Sequence, residues 1–198
     1  MGDVMSKLFL FLLSALMLGG CAHPIMLSPD IAKIERSPDV APIDKSVGYF
    51  MISGTRELQT TSSGGGGDMV SFYPYKDLET SFYKMLSNVF SKVSLLKSQN
   101  DNEAIDKYTV RLIVTPQIST SSSSSSLFTW PPTRFAVTLT CVFLDIHGKE
   151  IARKVVIGEG QAEFEEFKSD FSLSARRASL DAMKKMQELL LASQELRN

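Results

Sequence analysis

From Arg134 to Leu144 every second side chain is apolar: Phe135, Val137, Leu139, Cys141 and Phe143 share one face, while Thr138 and Thr140 share the other. That period of two marks a strand with one dry face and one wet face. A dry sheet face has to be covered by a second layer, so this stretch already asks for helices or another sheet. Asp145-Ile146-His147-Gly148-Lys149 supplies a tight turn in which Gly148 can take a positive φ. The return strand runs from Glu150 to about Ile157, with room to extend to Phe164, and Gly158 and Gly160 suggest a bulge or bend in it. Cys141 falls on the apolar face and reads as a buried small hydrophobe rather than a reactive thiol.

Two amphipathic helices can cover that face. Pro74 opens the first, running to about Lys92, with Leu78, Phe82, Met85, Leu86, Val89, Phe90 and Val93 at three- and four-residue spacing. Proline is tolerated in a first helical turn, and Asp77 and Glu79 suit the positive end of the helix dipole. Asp170 or Ser172 caps the second, which ends near Ser193. Leu173, Leu180, Met183, Leu190 and Leu191 mark one flank of its buried face, and Ala175, Ala178 and Ala182 permit close approach to a sheet. Shorter strands are predicted at Val47–Ile52 and Val93–Leu96, and a longer one at Tyr108–Ile118, where Pro116 marks an edge position or the strand's end. The order β-α-β-β-β-β-α predicts an α+β, two-layer sandwich: a mostly antiparallel sheet with two main helices packed on one face.

The connectors are polar. Four glycines, Gly64 to Gly67, follow a Thr/Ser stretch from Thr60. A phosphate-cradling loop would end in Gly-Lys-Ser/Thr, but here the glycines lead into Asp68-Met69-Val70, so a flexible connector is expected. Ser98 to Asp106 reads as a polar turn. Ser121 to Ser126 reads as a flexible excursion between strands. Beyond it, Phe128 and the single tryptophan, Trp130, either form an aromatic contact point for a partner or plug the loop back onto the sheet.

The amino terminus carries a different signal. An apolar run from Leu8 to Leu18 follows Lys7 and ends in Leu18-Gly19-Gly20-Cys21. The run is too short to cross a bilayer, which takes about 20 apolar residues. A basic start, an apolar stretch and small residues before a cysteine make a lipoprotein signal peptide over 1–20, with Cys21 as the lipid-bearing residue of the mature chain. Asp3 is unusual in such a segment, and initiation at Met5 would give a cleaner start. Acyl chains would supply membrane affinity at about 0.8 kcal/mol per buried methylene. Residues 21–45 hold four of the eight prolines and no clear period, so a Pro-containing tether is expected ahead of a single domain over 46–198. A flexible tether of that length would hold the domain roughly 25–30 Å from the bilayer. Ile31, Ile34 and Ile43 leave open that part of it packs along the domain.

Composition narrows the functions. A net charge of −1 offers no long-range field for nucleic acid. With Cys21 consumed by lipid, Cys141 stands alone, which leaves neither an intrachain disulfide nor a cysteine metal cage, and no cofactor is expected. Ser81/Lys84 and Ser94/Lys97 match a Ser-x-x-Lys pattern, but its companion Ser-Asp-Asn and Lys-Thr-Gly motifs are absent. His23 falls in the tether and His147 in a turn, and Glu163, Glu165, Glu166 and Asp170 suit a helix start better than a carboxylate pair. No catalytic constellation emerges, and a non-enzyme is expected.

Behind the lipobox, the order of elements over Val47–Ser193 resembles that of the YajG-type family of small envelope lipoproteins. The broad plan is also similar to that of lipopolysaccharide-assembly lipoproteins of the LptE type. In lipoproteins of this kind an aspartate after the lipidated cysteine retains the protein in the inner membrane. Ala22 therefore implies the outer membrane, and a domain facing the periplasm is the expectation there. The resemblance implies a lipid-anchored, non-enzymatic accessory or assembly subunit of a cell-envelope complex. An envelope protein partner would be met through edge strands and the loop holding Phe128 and Trp130. The alternative is a periplasmic carrier of lipid, glycan or peptide with a cleft between helices and sheet. Oligomeric state stays open.

Overall fold

Pro74 sits at the first position of a 16-residue helix, α1 (Pro74–Val89), and the predicted stripe of Leu78, Phe82, Met85, Leu86 and Val89 is its buried face. The helix ends earlier than its periodicity suggests, because Phe90 turns to extended geometry and starts strand β5 (Phe90–Leu95) with no intervening loop. The computed structural model describes residues 22–36, 38–52, 54–124 and 131–198. In chain order the other elements are β1 (Ala22–Pro24), β2 (Ile43–Tyr49), β3 (Thr60–Ser63), β4 (Met69–Phe72), α2 (Asn102–Tyr108), β6 (Leu112–Ser123), β7 (Arg134–Leu144), β8 (Glu150–Gln161), α3 (Phe164–Phe167), α4 (Leu173–Leu191) and α5 (Gln194–Arg197).

The main sheet has the order β5-β2-β6-β7-β8, with α1 and α4 on one face, which is the expected two-layer α+β plan. Its long β6-β7-β8 meander is antiparallel, whereas β2 pairs in parallel with both β5 and β6. The β2–β5 pair arises because α1 forms the crossover between them, and the β2–β6 pair because the chain crosses again from β5 to β6 through α2, each time returning to the same end of the sheet. A second sheet, β1-β4-β3, lies beside the C-terminal half of β6, where Ser62 and Ser122 hydroxyls are 2.7 Å apart.

Between the layers, Val47, Val114, Val137, Leu139, Cys141 and Phe143 meet Leu78, Phe82, Met85, Leu86, Met183 and Met186, all fully buried. Burial pushes the Cys141 thiol well above its ordinary pKa, consistent with an inert core residue. A smaller cluster of Leu96, Ile105, Val110 and Ile113 lies on the other side of the sheet beneath α2. The predicted polar turn at Ser98–Asp106 thus contains most of a helix. Asp101 caps it, accepting from the Ala104 amide, and Thr109 closes it at φ 52°. Tyr108 belongs to this helix, so β6 begins at Leu112 rather than Tyr108.

Gly158 and Gly160 make no bulge; their strand continues in register through both. They are there because α4 lies almost on the backbone of β8. A Cβ at Gly158 would collide with the Ala178 carbonyl and the Ala182 amide, and one at Gly160 with the Ser174 carbonyl. The small face of α4 (Ala175, Ala178, Ala182) and the two glycines make one seam. The serine-rich segments also differ from expectation. Thr60–Ser63 is a strand, and Ser121–Ser123 prolong β6 by pairing with Phe135, Ala136 and Arg134 on β7. Ladder partners on β7 override weak strand propensity there. Pro116 sits where β6 has passed its last β2 partner, Val114, so its missing N–H costs no ladder bond on that side. The Asp145–Lys149 turn is as expected, with Gly148 at φ 84° and Asp145 Oδ1 accepting from the His147 amide at 2.8 Å and the Lys149 amide at 2.9 Å.

The predicted tether over 21–45 is where expectation fails most clearly. Of Ile31, Ile34 and Ile43, two are buried and Ile31 is exposed. Ile25 and Leu27 join the core as well. Four prolines mask the pattern, since this segment meets the core through scattered contacts rather than a periodic face.

Two substitutions separate these packing arguments from their alternatives. Leu27→Ala should lower unfolding free energy by about 2–5 kcal/mol, as for a core leucine, where a tether residue would give no change. Gly160→Ala should cost about 1–3 kcal/mol by forcing α4 off β8. Urea unfolding of each variant is the measurement.

Candidate functional site

The residue that the sequence marks for chemistry, Cys21, and the candidate contacts Phe128 and Trp130 lie outside the described residues. The described residues begin at Ala22, which already belongs to the fold. Ala22 opens β1, paired in parallel with β4 in the register Ala22↔Met69, His23↔Val70, Pro24↔Ser71. His23 Nε2 lies 3.7 Å from Asp68 Oδ2. The ladder continues through the Ile25 amide, which donates to the Ser71 carbonyl at 2.9 Å.

Beyond β1 the segment is held by side chains from both long helices. The Met26 amide donates to Ser172 Oγ at 3.0 Å, at the start of α4, and the Leu27 amide to Asp77 Oδ2 at 3.1 Å, in the first turn of α1. Burial pushes the Asp77 carboxyl above its ordinary pKa, while the amides of Leu27 and Tyr73 pull the other way. Asp30 caps a single 3-10 turn (Ile31–Lys33) by accepting from the Ala32 amide at 3.0 Å. Buried Asn88 donates to the Ile34 carbonyl at 2.9 Å and to Gln187 Oε1 at 2.7 Å, and Gln187 donates to the Glu35 carbonyl at 2.8 Å. Both side-chain amides of this polar clamp thus find partners, where an unpaired buried amide would cost about 1–3 kcal/mol. Sequence reasoning missed Asn88 and Gln187. The available signal was a polar residue on an otherwise apolar helix face, each a position that needs a partner when buried.

The glycine run closes the same end of the molecule. Gly64 to Gly67 form the tight turn between β3 and β4, with Gly66 and Gly67 at φ 68° and 88° and the Gly64 amide donating to the Asp68 carbonyl at 2.8 Å. A connector was expected there, and it is an ordered hairpin turn. The far root of the loop holding Phe128 and Trp130 is fixed too. Pro131 to Thr133 are buried, and Ser174 Oγ donates to the Pro132 carbonyl at 2.8 Å.

The candidates for catalysis are structural. Ser81 is buried within α1 and donates to the Leu78 carbonyl at 2.9 Å. His23 and His147 sit at opposite ends of the fold, in β1 and in the β7–β8 turn. Every acid of the 163–170 run has a local partner. Glu163 caps α3, Glu165 pairs with Lys168 at 2.9 Å, Glu166 with Arg177 at 2.7 Å, and Asp170 with Arg176 at 2.9 Å. Among the described residues no cluster of histidine, cysteine and carboxylates could hold a metal ion. The cleft that a carrier needs between helices and sheet is occupied by the core side chains. The hollows open on the outside instead, such as one of about 320 Å³ beside Ser121, Arg134 and Glu159.

No family model matches the chain, and no curated protein matches it in sequence. Among solved structures it is similar to protein XCC0632 from Xanthomonas campestris, at 8% identity and TM-score 0.49, covering 86% of this chain and 90% of that one. It is also similar to a minor lipoprotein from Acinetobacter baumannii, at 12% identity and TM-score 0.44, over 75% of this chain and 93% of that one. A third similarity is to the PelC dodecamer from Paraburkholderia phytofirmans, at 12% identity and TM-score 0.45, over 81% and 96%.

Arg177 donates twice to Glu166, and the Glu163 amide adds a third bond, so the Glu166 carboxyl is held down at about 2. A depressed carboxylate stabilises the fold above its unfolded pKa and loses that contribution as pH falls through the folded value. The urea midpoint should therefore decline as pH falls from the ordinary carboxylate range towards about 2. Glu166→Gln should flatten that decline, and a variant that kept the full slope would refute the assignment.

Proposed function

We propose that this chain is a bacterial envelope lipoprotein, lipidated at Cys21, held on the periplasmic face of the outer membrane. In this reading it is a non-enzymatic accessory or assembly subunit of a cell-envelope complex. The observation that carries the reading is Leu18-Gly19-Gly20-Cys21 at the end of a short apolar run. A folded domain follows whose first strand begins at Ala22. Cleavage before Cys21 would remove the apolar run and leave the strand intact. Ala22, in place of aspartate, supports the outer rather than the inner membrane.

The partner surface in this reading is the free side of the main sheet. β8 is a 12-residue strand at the edge of that sheet; α4 side chains already bond the Ile157 and Gln161 carbonyls and the Glu159 amide, so in this reading an added strand would pair along residues 151–155. On the face away from α1 and α4, Val155 and Ile157 are exposed, in register with Thr140 and Thr138. Arg153 and Lys154 on the same strand discourage indiscriminate edge pairing. Phe128 and Trp130 stay candidates for a second contact.

Two measurements test this. Cys21→Ser should abolish incorporation of labelled palmitate and leave an uncleaved precursor that no longer reaches the outer-membrane fraction. A photo-crosslinking residue at Val155 should recover one specific envelope protein from intact cells; recovery of the monomer alone would sink the partner assignment.

A further inference from the structure

The fold leaves no leash between lipid and domain. Cα atoms of neighbouring residues are about 3.8 Å apart, and only one peptide bond separates Cys21 from Ala22, which is already a ladder residue of β1. Whatever holds Cys21 at a bilayer also holds this end of the domain there. The register of the strands defines which end that is. Met69 is opposite both Ala22 and Ser63, which puts the Gly64–Gly67 turn beside β1. Ser62 meets Ser122, and the Phe72 and Phe135 rings stack edge-on at 5.5 Å, so the start of β7 lies at the same level. Arg134 pairs with Gln161, and the Ala162 amide donates to the Thr133 carbonyl, which brings α3 to this end too.

Apolar side chains stand exposed at this end. Met26 is 61% exposed, Phe164 53% and Phe171 50%. The Met26 amide is bonded to Ser172, adjoining Phe171, and Lys168 Nζ lies 4.6 Å from the centre of the Phe164 ring. Exposed apolar side chains with a lysine over an aromatic face suit the boundary between headgroups and acyl chains, where apolar groups enter and cations stay at the headgroups. At the other pole is the polar Asp145–Lys149 turn, with the 11 residues of β7 between. At about 3.3 Å per residue that strand holds the turn some 35 Å from the opposite end.

We propose that this end is a membrane-seating surface: Met26, Phe164 and Phe171 rest in the bilayer interface, and the β6-β7-β8 strands stand away from the membrane with the β7–β8 turn outermost. The proposal rests on lipidation of Cys21 and adds a fixed orientation to it. The partner edge β8 is then presented at a defined height and angle instead of swinging.

The test uses the full-length chain, processed in cells, purified and reconstituted in phosphatidylethanolamine–phosphatidylglycerol vesicles containing nitroxide-headgroup lipid. Cys141 is buried, so single exposed positions can be labelled selectively with a fluorophore in Met26→Cys, Phe164→Cys and His147→Cys variants. Positions 26 and 164 should be quenched at least threefold more than position 147. Equal quenching at the three positions, on protein whose Cys21 is acylated by mass spectrometry, overturns the seating surface and leaves the anchor standing. An unmodified Cys21 overturns both.

Discussion

Burial of Ile25, Leu27 and Ile34 against the two long helices is the contact on which the rest of the architecture depends. It ties the first described residues to α1 through Asp77 and Asn88 and to α4 through Ser172 and Gln187. A segment with this composition would ordinarily be solvated. Here its apolar side chains are part of the core, and four of its backbone groups, the amides of Met26 and Leu27 and the carbonyls of Ile34 and Glu35, are answered by named side chains. The segment is thereby packed onto the domain rather than strung out from it.

The second constraint is the approach of α4 to β8. Helix and strand backbones touch only because residues 158 and 160 lack a Cβ and the facing helix residues are alanines. That closeness sets the height of α4 above the sheet, and therefore how deeply Met183 and Met186 reach toward α1 and β7. It also brings Arg177 within reach of Glu166, which fixes the short helix α3 at the end of the sheet. Packing at one pair of glycines thus decides where α3 sits at this end of the sheet.

Strand β7, the β7–β8 turn, α1 and α4 were legible because each has a strong local period or a turn residue with one conformational use. Three things were not. Helix α2 is short, and its cover of Leu96, Val110 and Ile113 is a tertiary contact that leaves little trace in seven residues. Ser121–Ser123 and Thr60–Ser63 are strands only because β7 and β4 offer them ladders. The clamp at Asn88 and Gln187 joins residues 99 positions apart, beyond any local signal. For the candidate site, the sequence marks Cys21 by motif, whereas the ladder that begins at Ala22 and the bonds that hold Met26, Leu27 and Ile34 come from segments far along the chain.

The order of the five main-sheet strands and the two long helices, the buried character of Cys141, the hairpin at Gly148 and the motif at Cys21 were written in the amino-acid sequence, because each depends on neighbours a few residues away. The tertiary structure alone decided that Ile25, Leu27, Ile34 and Ile43 belong to the core, that β2 runs parallel to both its neighbours, and that Gly158 and Gly160 serve helix contact rather than strand bending. Those outcomes depend on which surfaces meet across the whole chain, and burial of scattered apolar and polar groups has no period to read.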